Sequence, residues 1–118
     1  MKNIAKEINK SKVIAVLQID LLENVMPLCE ALLKQGINII ELALRTNVSQ
    51  KATELILKNF PDILVGLGTV VHEDQVRFAV DTGVNFAVSP GCNTKIIDLA
   101  LKNKLPFFPG ISSPTDIE

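Results

Sequence analysis

One pattern governs what this chain can fold into. Short β-rich apolar runs begin near Lys12, Ile37, Ile63, Asn85 and Leu105, at intervals of about 20 to 26 residues. Such a period holds one strand, one helix and two short loops. The runs are Val13-Ile14-Ala15-Val16-Leu17, Ile37 to Leu44, Ile63 to Leu67, Asn85 to Ser89 and Pro106 to Pro109. Between them the apolar residues recur at helical spacing. Glu23 to Gln35 puts Val25, Leu28, Cys29, Leu32 and Leu33 on one face, with Pro27 in the first turn and Gly36 as a stop. Ser49 to Asn59, Glu73 to Thr82 and Thr94 to Asn103 follow the same rule. A fifth helix is expected to begin at Ser113-Pro114-Thr115-Asp116, where a capping residue precedes proline.

Strands that alternate with helices and are nearly continuous in apolar residues form a parallel sheet covered by helices. An open doubly wound sheet and part of an eight-stranded barrel both satisfy that pattern. The second run favours the barrel. Side chains alternate along a strand, so Ile40, Leu42 and Leu44 form an aliphatic face suited to packing on helices. Ile39, Glu41, Ala43 and Arg45 form the opposite face, which suits a barrel interior that opens into a site. The expected fold is therefore α/β, a (β/α)8 TIM barrel of which residues 1–118 supply about five strand–helix units as a single partial domain, ending before a sixth strand. Five strands do not close a barrel. The two edges then call for more of the same chain or for another copy.

Composition removes other classes. At 118 residues, 47% hydrophobic and 21% charged, the chain has one ordinary core and no disordered tail. A net charge of −1 gives no basic surplus for nucleic acid. No apolar run reaches the roughly 18 residues that span a bilayer. The start, Met1-Lys2-Asn3-Ile4-Ala5-Lys6-Glu7, lacks an apolar signal core, so a cytoplasmic location is expected. Cys29 and Cys92 form no C-x-x-C pair and read as two reduced thiols.

A carboxylate in the middle of an aliphatic strand is costly unless it is paired or hydrogen-bonded. Burial raises its pKa and suits it to proton transfer, which makes Glu41 the candidate acid and base. Four residues of strand separate Glu41 from Arg45 by about 13 Å, so Arg45 is placed at the rim with a small anion between or above them. In Val65-Gly66-Leu67-Gly68-Thr69-Val70 the glycines allow close backbone approach, and Thr69 ends the strand on the face of Val65 and Leu67. Val71 occupies the third glycine position of a dinucleotide fingerprint, which excludes that motif. Ser89-Pro90-Gly91 and Pro109-Gly110 put rigid turns at the carboxyl ends of strands, where barrel sites are built. His72, near a helix start without metal partners, reads as a capping or surface residue.

These runs, in this order, resemble the 2-keto-3-deoxy-6-phosphogluconate (KDPG) and 4-hydroxy-2-oxoglutarate (KHG) aldolase family. The matching pieces are Val13 to Leu17, Gly36 with Ile40-Glu41-Leu42-Ala43-Leu44-Arg45-Thr46, Val65 to Val70, Phe86-Ala87-Val88-Ser89-Pro90-Gly91 and Pro109-Gly110-Ile111. The resemblance implies a class I aldolase that joins a lysine to pyruvate as a Schiff base, in the Entner–Doudoroff context, as a cytoplasmic homotrimer without metal or other cofactor. It implies that Glu41 shuttles protons, that Arg45 and Thr69 hold the pyruvyl carboxylate, and that Pro90 lines the pocket. Gln18 stands where some members have arginine. The family's Schiff-base lysine belongs to a sixth strand, beyond Glu118, so the 118 residues alone are expected to be inactive. Two alternatives remain open: a non-catalytic partial barrel that oligomerises through its edges, and a 2-keto-3-deoxy-6-phosphogalactonate aldolase.

Overall fold

In the computed structural model, residues 3–113 are described. Five strands lie in the order β1-β2-β3-β4-β5, all parallel: β1 (Ala15–Leu17), β2 (Ile39–Ala43), β3 (Leu64–Gly68), β4 (Phe86–Ser89) and β5 (Phe107–Pro109). Helices α2 (Val25–Lys34), α3 (Ser49–Asn59), α4 (Glu73–Thr82) and α5 (Thr94–Lys102) fill the intervals. The helix expected at Ser113 to Asp116 falls, beyond Ser113, outside the described residues.

Local chemistry sets the helix ends. Gly36 and Gly83 take φ of 77° and 81°, and the amides of Gly36 and Ile37 return to the carbonyls of Leu33 and Leu32. Asn93 caps α5 by accepting from the Lys95 amide at 3.0 Å. At the start of α4, the Gln75 side chain accepts from the amides of Val71 and His72 at 2.7 and 2.9 Å, so His72 occupies the capping position.

One further helix, α1 (Ile4–Ser11), is not foreseen from the sequence. Its only large apolar residues are Ile4 and Ile8, four apart, and apart from Ala5 the rest is polar. Asn3 caps it from the Lys6 amide at 3.2 Å.

The sheet separates two apolar clusters. Ile40, Leu42, Val65, Leu67 and Ala87 point to the helices and join Val25, Cys29, Ala52, Ile56, Val76, Ala79 and Ile96 in the main core. Ile39, Leu64 and Phe86 point the other way and meet Ile4, with Ile8, Ile14 and Val88 beside them. Helix α1 thus covers the inner face near the amino ends of the strands. The expected alternation in β2 holds: Ile40 and Leu42 face the helices, while Ile39 faces the interior with Glu41 in phase.

Glycine makes room on that inner face. A Cβ on Gly66 would overlap the ring of Phe86, which is fully buried. Phe86 in turn meets Phe108 edge-on, with ring centroids 5.9 Å apart at 73°. Among the described residues β1 and β5 are the sheet edges, and inner-face residues there are open: Val16 is 66% exposed and Phe108 39%.

Gly66→Ala is expected to cost about 1–3 kcal/mol by overpacking. Adding Phe86→Leu should recover part of that loss in urea unfolding followed by far-UV circular dichroism. Strictly additive losses would show that the two residues do not compete for this space.

Candidate active site

Glu41 sits mid-strand in β2, level with Val16 of β1 and Gly66 of β3. It is half-buried. Its carboxyl rests over Gly68: a Cβ there would lie 3.0 Å from Cδ and 3.2 Å from Cγ of Glu41 and would overlap Oε1. The two glycines of β3 therefore divide the work, Gly66 clearing Phe86 and Gly68 clearing Glu41. Burial pushes the Glu41 carboxyl above its ordinary pKa of 4.5, and the Arg45 guanidinium pulls it partly back.

Arg45 acts on Glu41 although an unbroken strand would separate them. Strand β2 stops at Ala43, and the Arg45 amide turns back to the Ala43 carbonyl at 2.9 Å. The exposed Arg45 side chain donates from Nε to Thr69 Oγ1 at 3.3 Å. The terminal guanidinium nitrogens carry the donors suited to a carboxylate.

Thr69 corrects one expectation from the sequence. Strand alternation puts it with Val65 and Leu67 toward the helices. It instead takes a left-handed φ of 61°, and Val70, fully buried, follows Val65 and Leu67 into the main core. The reversal frees the Thr69 hydroxyl to meet Arg45. Left-handed backbone is unfavourable for a β-branched residue, so surrounding structure must hold it; the Val70 amide bonds the Val88 carbonyl at 3.1 Å.

Pro90 follows β4 and is exposed. Its neighbours are Gly110, where a Cβ would overlap the Pro90 carbonyl, and the Ser89 carbonyl, which accepts from the Gly110 amide at 2.9 Å. Pro90 thus shares the carboxyl end of the sheet with Glu41, Arg45 and Thr69 without joining their cluster. Beside it, a recess of about 180 Å³ is lined by Val70, Val71, Ser89, Gly91, Cys92 and Asn93. Recesses of about 280 and 310 Å³ lie at the amino ends of strands and contain none of these residues. Gln18 is exposed and reaches Asp20 at 3.4 Å.

Sequence reasoning did not single out Gly68 as the seat of Glu41, or Ser49. Ser49 is buried and bonds both Thr46 and the Ala43 carbonyl. The signal for Gly68 was its place two residues beyond the register partner of Glu41, which is visible only once the strands are paired. Cys29 is buried in α2, where burial pushes its thiol up to about 11. No described helix is long and apolar enough to cross a membrane.

Parallel strands in sequential order from β1 to β5, without the reversal of a doubly wound sheet, and a polar cluster toward their carboxyl ends define an α/β protein of the TIM-barrel class. The chain belongs to the KDPG and KHG aldolase family, whose model matches residues 4–118. It is 36% identical over 118 residues to a 2-dehydro-3-deoxy-phosphogluconate aldolase of Treponema pallidum, covering all of this chain and 56% of that protein. It is 32% identical over 117 residues to the enzyme of that name from Haemophilus influenzae, covering 99% and 55%. Among solved structures, the KDPG aldolase of Legionella pneumophila, with pyruvate captured at low pH as a covalent carbinolamine intermediate, superposes with a TM-score of 0.86 at 41% identity, over 91% of this chain and 52% of that one. The KDPG aldolase of Zymomonas mobilis superposes with a TM-score of 0.90 at 31% identity, over 98% and 56%. The chain spans about half the length of the relatives it matches.

A carboxyl with a raised folded-state pKa binds its proton more tightly in the native than in the unfolded chain. It therefore lowers native stability progressively as pH rises above about 4.5. Glu41→Gln removes that term. The variant's stability relative to wild type should rise from acid to neutral pH in urea titrations, and a flat difference would show that Glu41 is ordinarily solvated. Gly68→Ala, by displacing the carboxyl, should bring the Glu41 pKa back toward 4.5 in a carbon-13 NMR titration.

Proposed function

We propose that these residues form the amino-terminal part of a class I aldolase that cleaves 2-keto-3-deoxy-6-phosphogluconate, 4-hydroxy-2-oxoglutarate or both to pyruvate and an aldehyde. The observation that carries this reading is the inward carboxyl of Glu41, seated over Gly68 with a raised pKa and within the pull of Arg45. Family membership supports the reaction class. The carbinolamine recorded for the Legionella relative is the kind of lysine adduct such a reaction forms on the way to an imine.

In this reading the keto carbon of the substrate condenses with a lysine amine and loses water. The protonated imine draws the electrons of the breaking carbon–carbon bond into an enamine, while Glu41, as carboxylate, takes the proton of the neighbouring hydroxyl and releases the aldehyde. Glu41, now protonated, returns a proton to the enamine carbon, and water hydrolyses the imine to pyruvate. Burial raises the Glu41 pKa, so its protonated form is easier to reach than that of a solvated carboxyl, which suits a group that must both take and return a proton. Arg45, steadied by Thr69, holds the keto-acid carboxylate, and Pro90 lines the mouth.

The imine-forming lysine is assigned outside the described residues. Lys6, Lys10, Lys34, Lys51, Lys58, Lys95 and Lys102 lie in helices, Lys104 lies in the turn after α5, and Lys12 precedes β1 at the opposite end of the sheet. The reading includes the family resemblance's further implications: a cytoplasmic homotrimer that uses no metal. A second reading, a non-catalytic assembly joined through strand edges, draws on the exposure of Val16 and Phe108. Light scattering that shows a stable folded monomer would remove it.

Borohydride treatment with pyruvate, followed by intact mass, should leave the 118-residue chain unmodified. A lysine adduct on that chain would overturn the placement of the lysine. Co-expressed with the carboxyl-terminal remainder of the Legionella relative, the chain should gain pyruvate release. Glu41→Gln should then lower the rate by about 10²–10⁴-fold, and an indifferent rate would overturn its proton role.

A further inference from the structure

We propose that Thr46 and Ser49 form a hydroxyl clamp that positions the Arg45 guanidinium. The proposal rests on the reading of Arg45 as the carboxylate holder. Arg45 is exposed and lies beyond the end of its strand, where a long side chain and a mobile loop would spread the guanidinium over many positions. Three bonds hold the backbone around it. The Arg45 amide donates to the Ala43 carbonyl at 2.9 Å, the Thr46 amide donates to Ser49 Oγ at 3.1 Å, and Ser49 Oγ donates to that same Ala43 carbonyl at 3.2 Å. The Thr46 hydroxyl then donates to the Ile19 carbonyl at 2.6 Å and lies 2.9 Å from Ser49 Oγ.

The arrangement ties three places together. Ala43 ends β2, Ser49 opens α3, and Ile19 lies in the loop after β1. Ser49 is 1% exposed and Ile19 2%, so the Ser49–Ala43 bond is buried and the Thr46 bonds are partly shielded from water that would otherwise replace them. Thr53 extends the anchor by donating to the Ser49 carbonyl at 2.8 Å from a fully buried position. Arg45 is left one rotating side chain, and Thr69 Oγ1 takes its Nε. Neither Thr46 nor Ser49 needs to touch a ligand. They are positioning residues that limit where the guanidinium can go, which lowers the ordering needed when a carboxylate binds.

The test uses the 118-residue chain, nitrogen-15 relaxation at the Arg45 Nε–H, and titration with pyruvate. Thr46→Val keeps the shape and removes the hydroxyl; Thr46→Ser restores it. The expected result is a lower Arg45 Nε order parameter and about fivefold weaker pyruvate binding in Thr46→Val, with both recovered in Thr46→Ser and the amide pattern of α3 unchanged. Equal Arg45 order in Thr46→Val and wild type would overturn the proposal. If pyruvate fails to perturb Arg45 in wild type, the carboxylate reading fails. The clamp is then judged by the order parameter alone: a drop restored by serine supports it, and no drop overturns it. A Thr46→Val chain that does not fold leaves Thr46→Ser against Thr46→Ala as the same comparison.

Discussion

A carboxyl group held inside a sheet of aliphatic strands is the constraint around which the rest of this structure is arranged. Glu41 needs space, and Gly68 on the next strand supplies it by having no side chain. It needs partial compensation for lost water, and Arg45 supplies it from beyond the end of the strand. The compensation is incomplete, which is why burial still wins and the proton is held more tightly than in water. A tightly paired carboxylate would be inert at neutral pH. A fully solvated one would have no reason to sit in a strand.

The inner face divides along the strand axis. Toward the amino ends, Ile39, Leu64 and Phe86 make a small apolar cluster that Ile4 of α1 covers. Toward the carboxyl ends, Glu41, Arg45 and Thr69 replace it with polar chemistry. Parallel strands make this possible, because every strand delivers its carboxyl end to the same side. The hydroxyls of Thr46 and Ser49 then join neighbouring loops at that end, so the site is built on bonded turns rather than on loose loops.

Much of the architecture was legible from spacing. The alternation of runs located five strands and four helices, and α3 and α4 match their expected limits of Ser49–Asn59 and Glu73–Thr82. The strands are shorter than the apolar runs that mark them, as with Ala15–Leu17 inside Val13 to Leu17, because a run also includes residues that pack without ladder bonds. Helix α1 escaped because two isoleucines in a polar segment give too little periodicity to distinguish from a loop. Thr69 was assigned to the wrong face because alternation assumes extended backbone, and its positive φ ends that assumption.

The sequence alone determined the period of the fold, the face on which Glu41 lies and the residues that gather at the carboxyl ends of the strands. Those properties follow from local rules: two-residue alternation in strands, 3.6-residue periodicity in helices, and the turn chemistry of glycine and proline. Tertiary structure decided which glycine seats Glu41, that Arg45 meets Thr69, and which hydroxyls hold the loop between them. Each of these joins residues from different strands or loops. Their distances depend on strand register and on one unfavourable backbone angle that only the packed neighbours can sustain.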